Sequence, residues 1–261
     1  MSPEADWTKY LPADYYDNLA EGKSEDWVDV YIHSKFGKSL SGQPVFRAFN
    51  SDLHVAKQRL NPIRSSTNPL IIGMDFGLTP ACTINYIDLQ GRFLTFAALT
   101  SDGMGILRFS REKLKPYLAK RFPGMNVLIV GDPAGSQRAQ TDEKSVFDIL
   151  KQEGFRVIPA KSNTLVARIT AVDKLLTRLV DGKPAMLIDP EARDLINALR
   201  GGYRYKIRKD GEADDTPEKN KYSHVADAHQ YACMHADGNL TGEAWTTKAR
   251  KVEKPKSVWV Y

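Results

Sequence analysis

The run Leu70-Ile71-Ile72-Gly73-Met74-Asp75 constrains this chain more than any other stretch. It is apolar almost throughout, too short for a helix, and bounded by Pro69 and Gly77. A segment of that kind reads as a central strand buried on both faces, which implies a sheet covered by helices. Its last residue, Asp75, stands where the chain leaves the sheet, just before Phe76-Gly77, and the glycine lets the backbone turn.

Segments C-terminal to the run set the expected topology. Ala81 to Asp88 and Phe93 to Thr100 are β-rich and separated by Leu89-Gln90-Gly91-Arg92, so three antiparallel strands with tight connections are expected. Ser110 to Arg121 reads as a helix with Ser110 as its N-cap. Strand and helix patterns then alternate: strands at Asn126 to Gly131, Phe155 to Pro159 and Ala185 to Ile188, helices at Asp142 to Glu153, Thr164 to Val180 and Pro190 to Arg200. Such βα units need a parallel sheet with right-handed crossovers. The expected fold class is α/β, a ribonuclease H-like mixed sheet in which an antiparallel meander is followed by parallel βα units, with flanking helices. Gly202 to Lys209 alternates aromatic and basic residues like a hairpin arm, Asp210 to Lys221 reads as a charged loop, and Tyr222 to Ala236 makes the last helix.

Three regions result. Residues 1–66 read as an N-terminal arm, with a short helix near Glu25 to His33, ending in an interdomain linker rich in Pro, Ser and Asn. Residues 67–238 form the α/β domain, and residues 239–261 a basic C-terminal tail. At 42% hydrophobic and 26% charged residues the chain is ordinary for a globular protein, and a net charge of +5 favours a polyanionic partner. Cys82 and Cys233 form no C-x-x-C pair, so neither a disulfide framework nor a cysteine zinc site is expected. No apolar stretch approaches the ~20 residues that span a bilayer. A soluble intracellular protein without a membrane partner is the expectation.

Three aspartates stand out. Asp75 closes the buried run and is either a turn former or a metal ligand. Asp132 closes the strand Val127-Leu128-Ile129-Val130-Gly131 and precedes Pro133, which is also the pattern of a helix N-cap. Asp189-Pro190-Glu191, running straight into a helical pattern, serves as the internal comparison and is assigned as such a cap. After Asp132 come Gly135 and Ser136 instead, which favours the metal reading there. Asp227 lies in Tyr222-Ser223-His224-Val225-Ala226-Asp227-Ala228-His229-Gln230-Tyr231, where helical spacing puts His224 and Tyr231 on its face. Ala226 and Ala228 are small enough to let that helix approach the sheet closely.

The chemistry that three such acids serve is charge compensation. Cleaving a phosphodiester adds negative charge to an anionic phosphate, and two divalent cations about 3.5 to 4 Å apart stabilise the attacking and leaving oxygens. Oxygen ligands suit Mg²⁺ or Mn²⁺. Basic residues near the same edge (Arg138, Lys161, Arg168) and on the hairpin arm (Arg204, Lys206, Arg208, Lys209) are candidates for holding phosphates with little sequence preference. Tyr203 and Tyr205 read equally as core aromatics.

The strand Ile71 to Gly77, the Val130-Gly131-Asp132-Pro133-Ala134 turn, the helix Ala167 to Leu176, the terminal Ser223-His224-Val225-Ala226-Asp227-Ala228 and the segment Gly42-Gln43-Pro44-Val45-Phe46 together resemble the nuclease domain of large terminase subunits of tailed bacteriophages. The resemblance covers roughly residues 40 to 236. It implies a two-metal endonuclease that cuts double-stranded, concatemeric viral DNA during genome packaging, with Asp75, Asp132 and Asp227 as catalytic metal ligands. It leaves His224 open as ligand, phosphate contact or packing residue. It further implies an upstream ATPase domain, a portal and a small terminase subunit as partners, and the host cell cytoplasm as location. The segment Gly37-Lys38-Ser39 is no P-loop, because Ile32 occupies the position of the required glycine.

Other readings remain. Gly73-Met74-Asp75-Phe76-Gly77 also resembles the first phosphate loop of the actin and hexokinase superfamily, but a second loop and a glycine-rich adenosine site are missing. Resolvases and transposases share the fold class. A non-catalytic module that clamps DNA or docks on a portal would use the acids structurally.

Overall fold

The run at residues 70–75 forms β1 (Leu70–Asp75) and lies inside a six-stranded sheet in the computed structural model, which describes residues 42–61, 68–77, 79–136, 144–207 and 213–240. The other strands of the sheet are β2 (Ala81–Ile87), β3 (Phe93–Leu99), β4 (Val127–Gly131), β5 (Arg156–Pro159) and β8 (Met186–Ile188), in the order β5-β4-β1-β2-β3-β8. β1, β2 and β3 are antiparallel neighbours, while β4 runs parallel to β1, β5 to β4, and β8 to β3. This is the expected mixed sheet. Two small ribbons complete the strands, β6 (Leu179–Val180) with β7 (Lys183–Pro184), and β9 (Tyr205–Ile207) with β10 (Ala213–Pro217).

Alternation along β1 explains why both faces are covered. Leu70, Ile72 and Met74 join one core cluster with Phe109, Leu114 and Phe147, whereas Ile71 joins a second with Val172, Leu195 and Val225. The first face carries α2 (Ile106–Phe109), α3 (Lys115–Arg121) and α4 (Val146–Gln152). The second carries α5 (Leu165–Thr177), α6 (Arg193–Asn197) and α7 (Ser223–Leu240). A single turn, α1 (Ser51–His54), precedes the sheet.

Several local expectations are corrected. Ser110 is not an N-cap: α2 begins at Ile106 after Gly105, and Ser110 is buried inside a π-turn that joins α2 to α3. Ile106 and Phe109 supply the apolar face that carries the helix further toward its N-terminus. α4 starts at Val146, where Ser145 and Asp148 form a reciprocal capping box. Chain following α5 turns back as the β6–β7 ribbon through Asp181 and Gly182, both at positive φ (49° and 72°), which suits the tight hairpin. Asp189 caps no helix, since α6 begins only at Arg193. Its buried carboxylate instead accepts from the backbone N–H of Leu60 (2.8 Å) and Glu191 (2.9 Å). Within the expected charged loop, residues Ala213–Pro217 pair with β9.

Residues 42–61 pack against the sheet domain. Val45 and Phe46 are buried in the second core cluster, Phe46 stacks on Tyr203 at 6.0 Å, and the His54 ring contacts the Leu176 carbonyl at 3.0 Å. The segments expected as a helix near Glu25 to His33, the Gly37-Lys38-Ser39 segment, residues 62–67 of the linker and residues 241–261 of the basic tail lie outside the described residues. No helix among the described residues is long and apolar enough to cross a membrane.

Candidate active site

Parallel pairing of β1 with β4 aligns Met74 with Gly131, so Asp75 and Asp132 occupy the next position on each of two neighbouring strands. Neighbouring strands lie about 4.8 Å apart, and both side chains therefore reach the same rim of the sheet. Phe76 locks this rim. An added Cβ at Gly131 or Gly135 would strike the Phe76 ring, which also meets Phe147 edge-on at 5.5 Å. Only glycine leaves room for that ring beneath the two aspartates.

α7 crosses the rim on the second face. Gly73 lets it come close, because a Cβ there would run into the Ala228 carbonyl and the Ala232 methyl. Two turns of the helix then serve the strand ends. His224 Nδ1 lies 2.8 Å from Asp75 Oδ2, and this hydrogen bond holds the imidazole pKa above its ordinary value against the opposing effect of burial. Tyr231, seven residues on, donates to Asn163 Oδ1 (2.9 Å), and Asn163 Nδ2 donates to Asp132 Oδ1 (3.0 Å). The same Asp132 oxygen accepts from the Ala134 N–H (2.8 Å), as a turn-forming aspartate does. Asp132 is thus both a turn former and a partly exposed rim carboxylate.

Asp227 lies between His224 and Tyr231 and is buried. Oδ1 accepts from Arg168 Nη1 (3.0 Å), Tyr203 Oη (3.2 Å) and Gln230 Nε2 (3.4 Å), and Oδ2 from Lys219 Nζ (3.0 Å). The Arg168 guanidinium also lies over the Tyr231 ring at 5.3 Å. Burial works against the charge of Arg168 more than any one neighbour favours it, but attraction to Asp227, Tyr231 and Tyr203 and the hydrogen bond to Asp227 together outweigh it, so its pKa is raised. Among the described residues no group of three or more His, Cys, Asp and Glu side chains is placed to hold one metal ion. The expected three-carboxylate cluster is therefore two rim carboxylates plus a third acid whose oxygens are engaged by cations.

The basic candidates separate. Arg168 is 11% exposed and serves Asp227 instead of an open surface. Arg204 is partly buried and ion-paired with Glu218 at 2.8 Å. Lys206 is exposed on β9, and Lys161 is exposed beside Gly238 at the far end of α7. Arg138, Arg208 and Lys209 lie outside the described residues. Beside the rim an open groove of about 630 Å³ is lined by Thr79, Asn197, Lys219, Asn220, Lys221 and His224, among others. Lys219 and Asn163 are absent from the sequence expectations. Nothing local marks either, because one sits in a charged stretch and the other in the irregular segment before α5.

A mixed sheet ordered this way, with helices on both faces, is the ribonuclease H-like fold. Within it, the chain has the fold of the large terminase nuclease domain. It superposes on the large terminase of the thermophilic bacteriophage D6E with a TM-score of 0.57 at 17% identity, over 89% of this chain and 53% of that one. The ADP complex of that protein gives a TM-score of 0.58 at 16% identity over 90% of this chain. The P22 large terminase nuclease domain matches with a TM-score of 0.53 at 13% identity, over 78% of this chain and 100% of that one. The chain thus spans about half the length of the full D6E protein and all of the P22 domain. No family model matches the sequence, and no curated protein matches it.

Proposed function

We propose that this chain is a metal-dependent endonuclease that hydrolyses double-stranded DNA, the nuclease part of a large terminase subunit. The observation that carries the reading is the placement of Asp75 and Asp132 on adjacent parallel strand ends, under a helix bearing His224 and Asp227. Two hard oxygen donors that are partly exposed at one rim fit Mg²⁺ or Mn²⁺. Asp227 is the third proposed ligand. A divalent ion bound there would polarise the scissile phosphate and make a bound water more acidic.

The chain's own residues prepare that chemistry. His224 fixes the Asp75 carboxylate, and the Tyr231-Asn163 relay fixes Asp132, so neither acid must reorganise when an ion arrives. Lys219 and Lys221 line the groove beside the rim and supply positive charge for the DNA backbone, as do the exposed Lys206 and Lys161. Arg138, Arg208 and Lys209 are proposed to extend this basic surface. Hydrolysis by water needs no covalent enzyme intermediate. In a packaging motor the cut would sever concatemeric viral DNA in the host cytoplasm, with an ATPase domain, portal and small terminase subunit as partners.

A second reading, a DNA clamp without cleavage, is favoured by one observation, the engagement of both Asp227 oxygens by Arg168 and Lys219. Plasmid digestion separates the two. Nicking and linearisation are expected with Mg²⁺ or Mn²⁺ and not with chelator, and Asp75→Asn and Asp132→Asn should each abolish them while circular dichroism and DNA binding persist. Metal-dependent cutting that survives in purified Asp75→Asn, or no cutting by wild type under any divalent ion, rejects the nuclease assignment.

A further inference from the structure

The four groups on Asp227 differ in their freedom to leave. Tyr203 and Gln230 are buried, and Arg168 is 11% exposed and stacked on Tyr231, so these three are fixed by packing. The Lys219 side chain is 75% exposed although its ammonium lies 3.0 Å from an oxygen of a carboxylate that is only 6% exposed. It reaches Asp227 from the short loop between β10 and α7, and it lines the same groove as His224. Lys219 thus stands on the side from which an ion or a DNA strand would come.

Charge points the same way. Three acids, Asp75, Asp132 and Asp227, face the positive charges of Arg168 and Lys219 and, when it is protonated, of His224 on Asp75. Taking Lys219 away removes one positive charge from the rim, which then attracts a divalent cation more strongly. Resting on the nuclease reading, we infer that Lys219 is a tethered cation that occupies Asp227 in the metal-free protein and competes with the divalent ion for it. Its side chain is largely exposed and not held by packing, so its release costs little, and the groove beside it has room for a phosphate as the next partner. Charging the rim with metal would then free a lysine for DNA.

The test is Mn²⁺ binding to the full chain, followed by electron paramagnetic resonance of the free ion, in wild type, Lys219→Ala and Lys219→Arg. Lys219→Ala should bind Mn²⁺ about five- to tenfold more tightly, since a competing charge is gone. Lys219→Arg, which keeps a cation on Asp227 with more donors, should bind it no better than wild type. Its melting temperature in chelator should stay near that of wild type, while that of Lys219→Ala should fall and be restored by Mn²⁺. Unchanged or weaker Mn²⁺ affinity in Lys219→Ala overturns the inference and leaves the nuclease reading standing. Should Lys219→Ala fail to fold, tighter Mn²⁺ binding by Lys219→Arg would overturn it instead. No Mn²⁺ binding by wild type, with or without DNA, sinks both.

Discussion

A carboxylate as buried as Asp227 is stable only while its charge is met, and Arg168 meets it from a helix fifty-nine residues away in the chain. The arginine is as dependent on the acid as the acid on it, because both have left water. Removing one partner of a buried pair strands the other, at a cost of about 3–5 kcal/mol. We therefore expect Arg168→Ala to lose that much stability in urea titrations, with Lys219 remaining on the other oxygen as partial compensation. Adding Asp227→Asn should recover a large part of the loss, because the stranded charge is gone. Equal stability of the single and double variants would show that the two groups are not coupled.

α7 brings the second half of the site to the first, and its approach depends on small residues. Helical spacing puts His224, Asp227 and Tyr231 on one side within two turns, while Ala228 and Ala232 let the backbone settle on Gly73 of β1. Gly73→Ala places a methyl group in the path of the Ala228 carbonyl. Overpacking of this kind costs about 1–3 kcal/mol. It should also lift α7 from the strand and lengthen the His224–Asp75 contact. Denaturant titration reads the first effect. Imidazole NMR reads the second, since a His224 freed from Asp75 should titrate at lower pH than in wild type. An unchanged titration with unchanged stability would mean that the helix tolerates the added methyl group.

At the scale of the whole molecule, Val45, Phe46 and His54 tie residues 42–61 to the packed core, while most of the segment's other side chains are exposed or half-buried. Phe46 is 2% exposed between the sheet face and Tyr203, whose hydroxyl donates to Asp227. Phe46→Ala should cost about 3–5 kcal/mol, measurable as a lower midpoint in guanidinium, whereas a loss under about 1 kcal/mol would mark the segment as a loosely docked arm. The buried run at Leu70, the Gly91 turn and the alternation after Asn126 were enough to read the mixed sheet, since period and turn chemistry are local properties of a chain. The positions of Asp75 and Asp132 at strand ends were legible for the same reason. The starts of α2 and α6 were not, because tertiary burial of Ile106 and the tie between Asp189 and Leu60 override the local capping signals. Nor could a sequence show that Arg168 and Lys219 converge on Asp227, or that β10 arises within a charged stretch. Spacing along the chain decides which residues share a face, but only the folded sheet and the crossing of α7 decide which charges meet, because Coulomb attraction depends on distance through space.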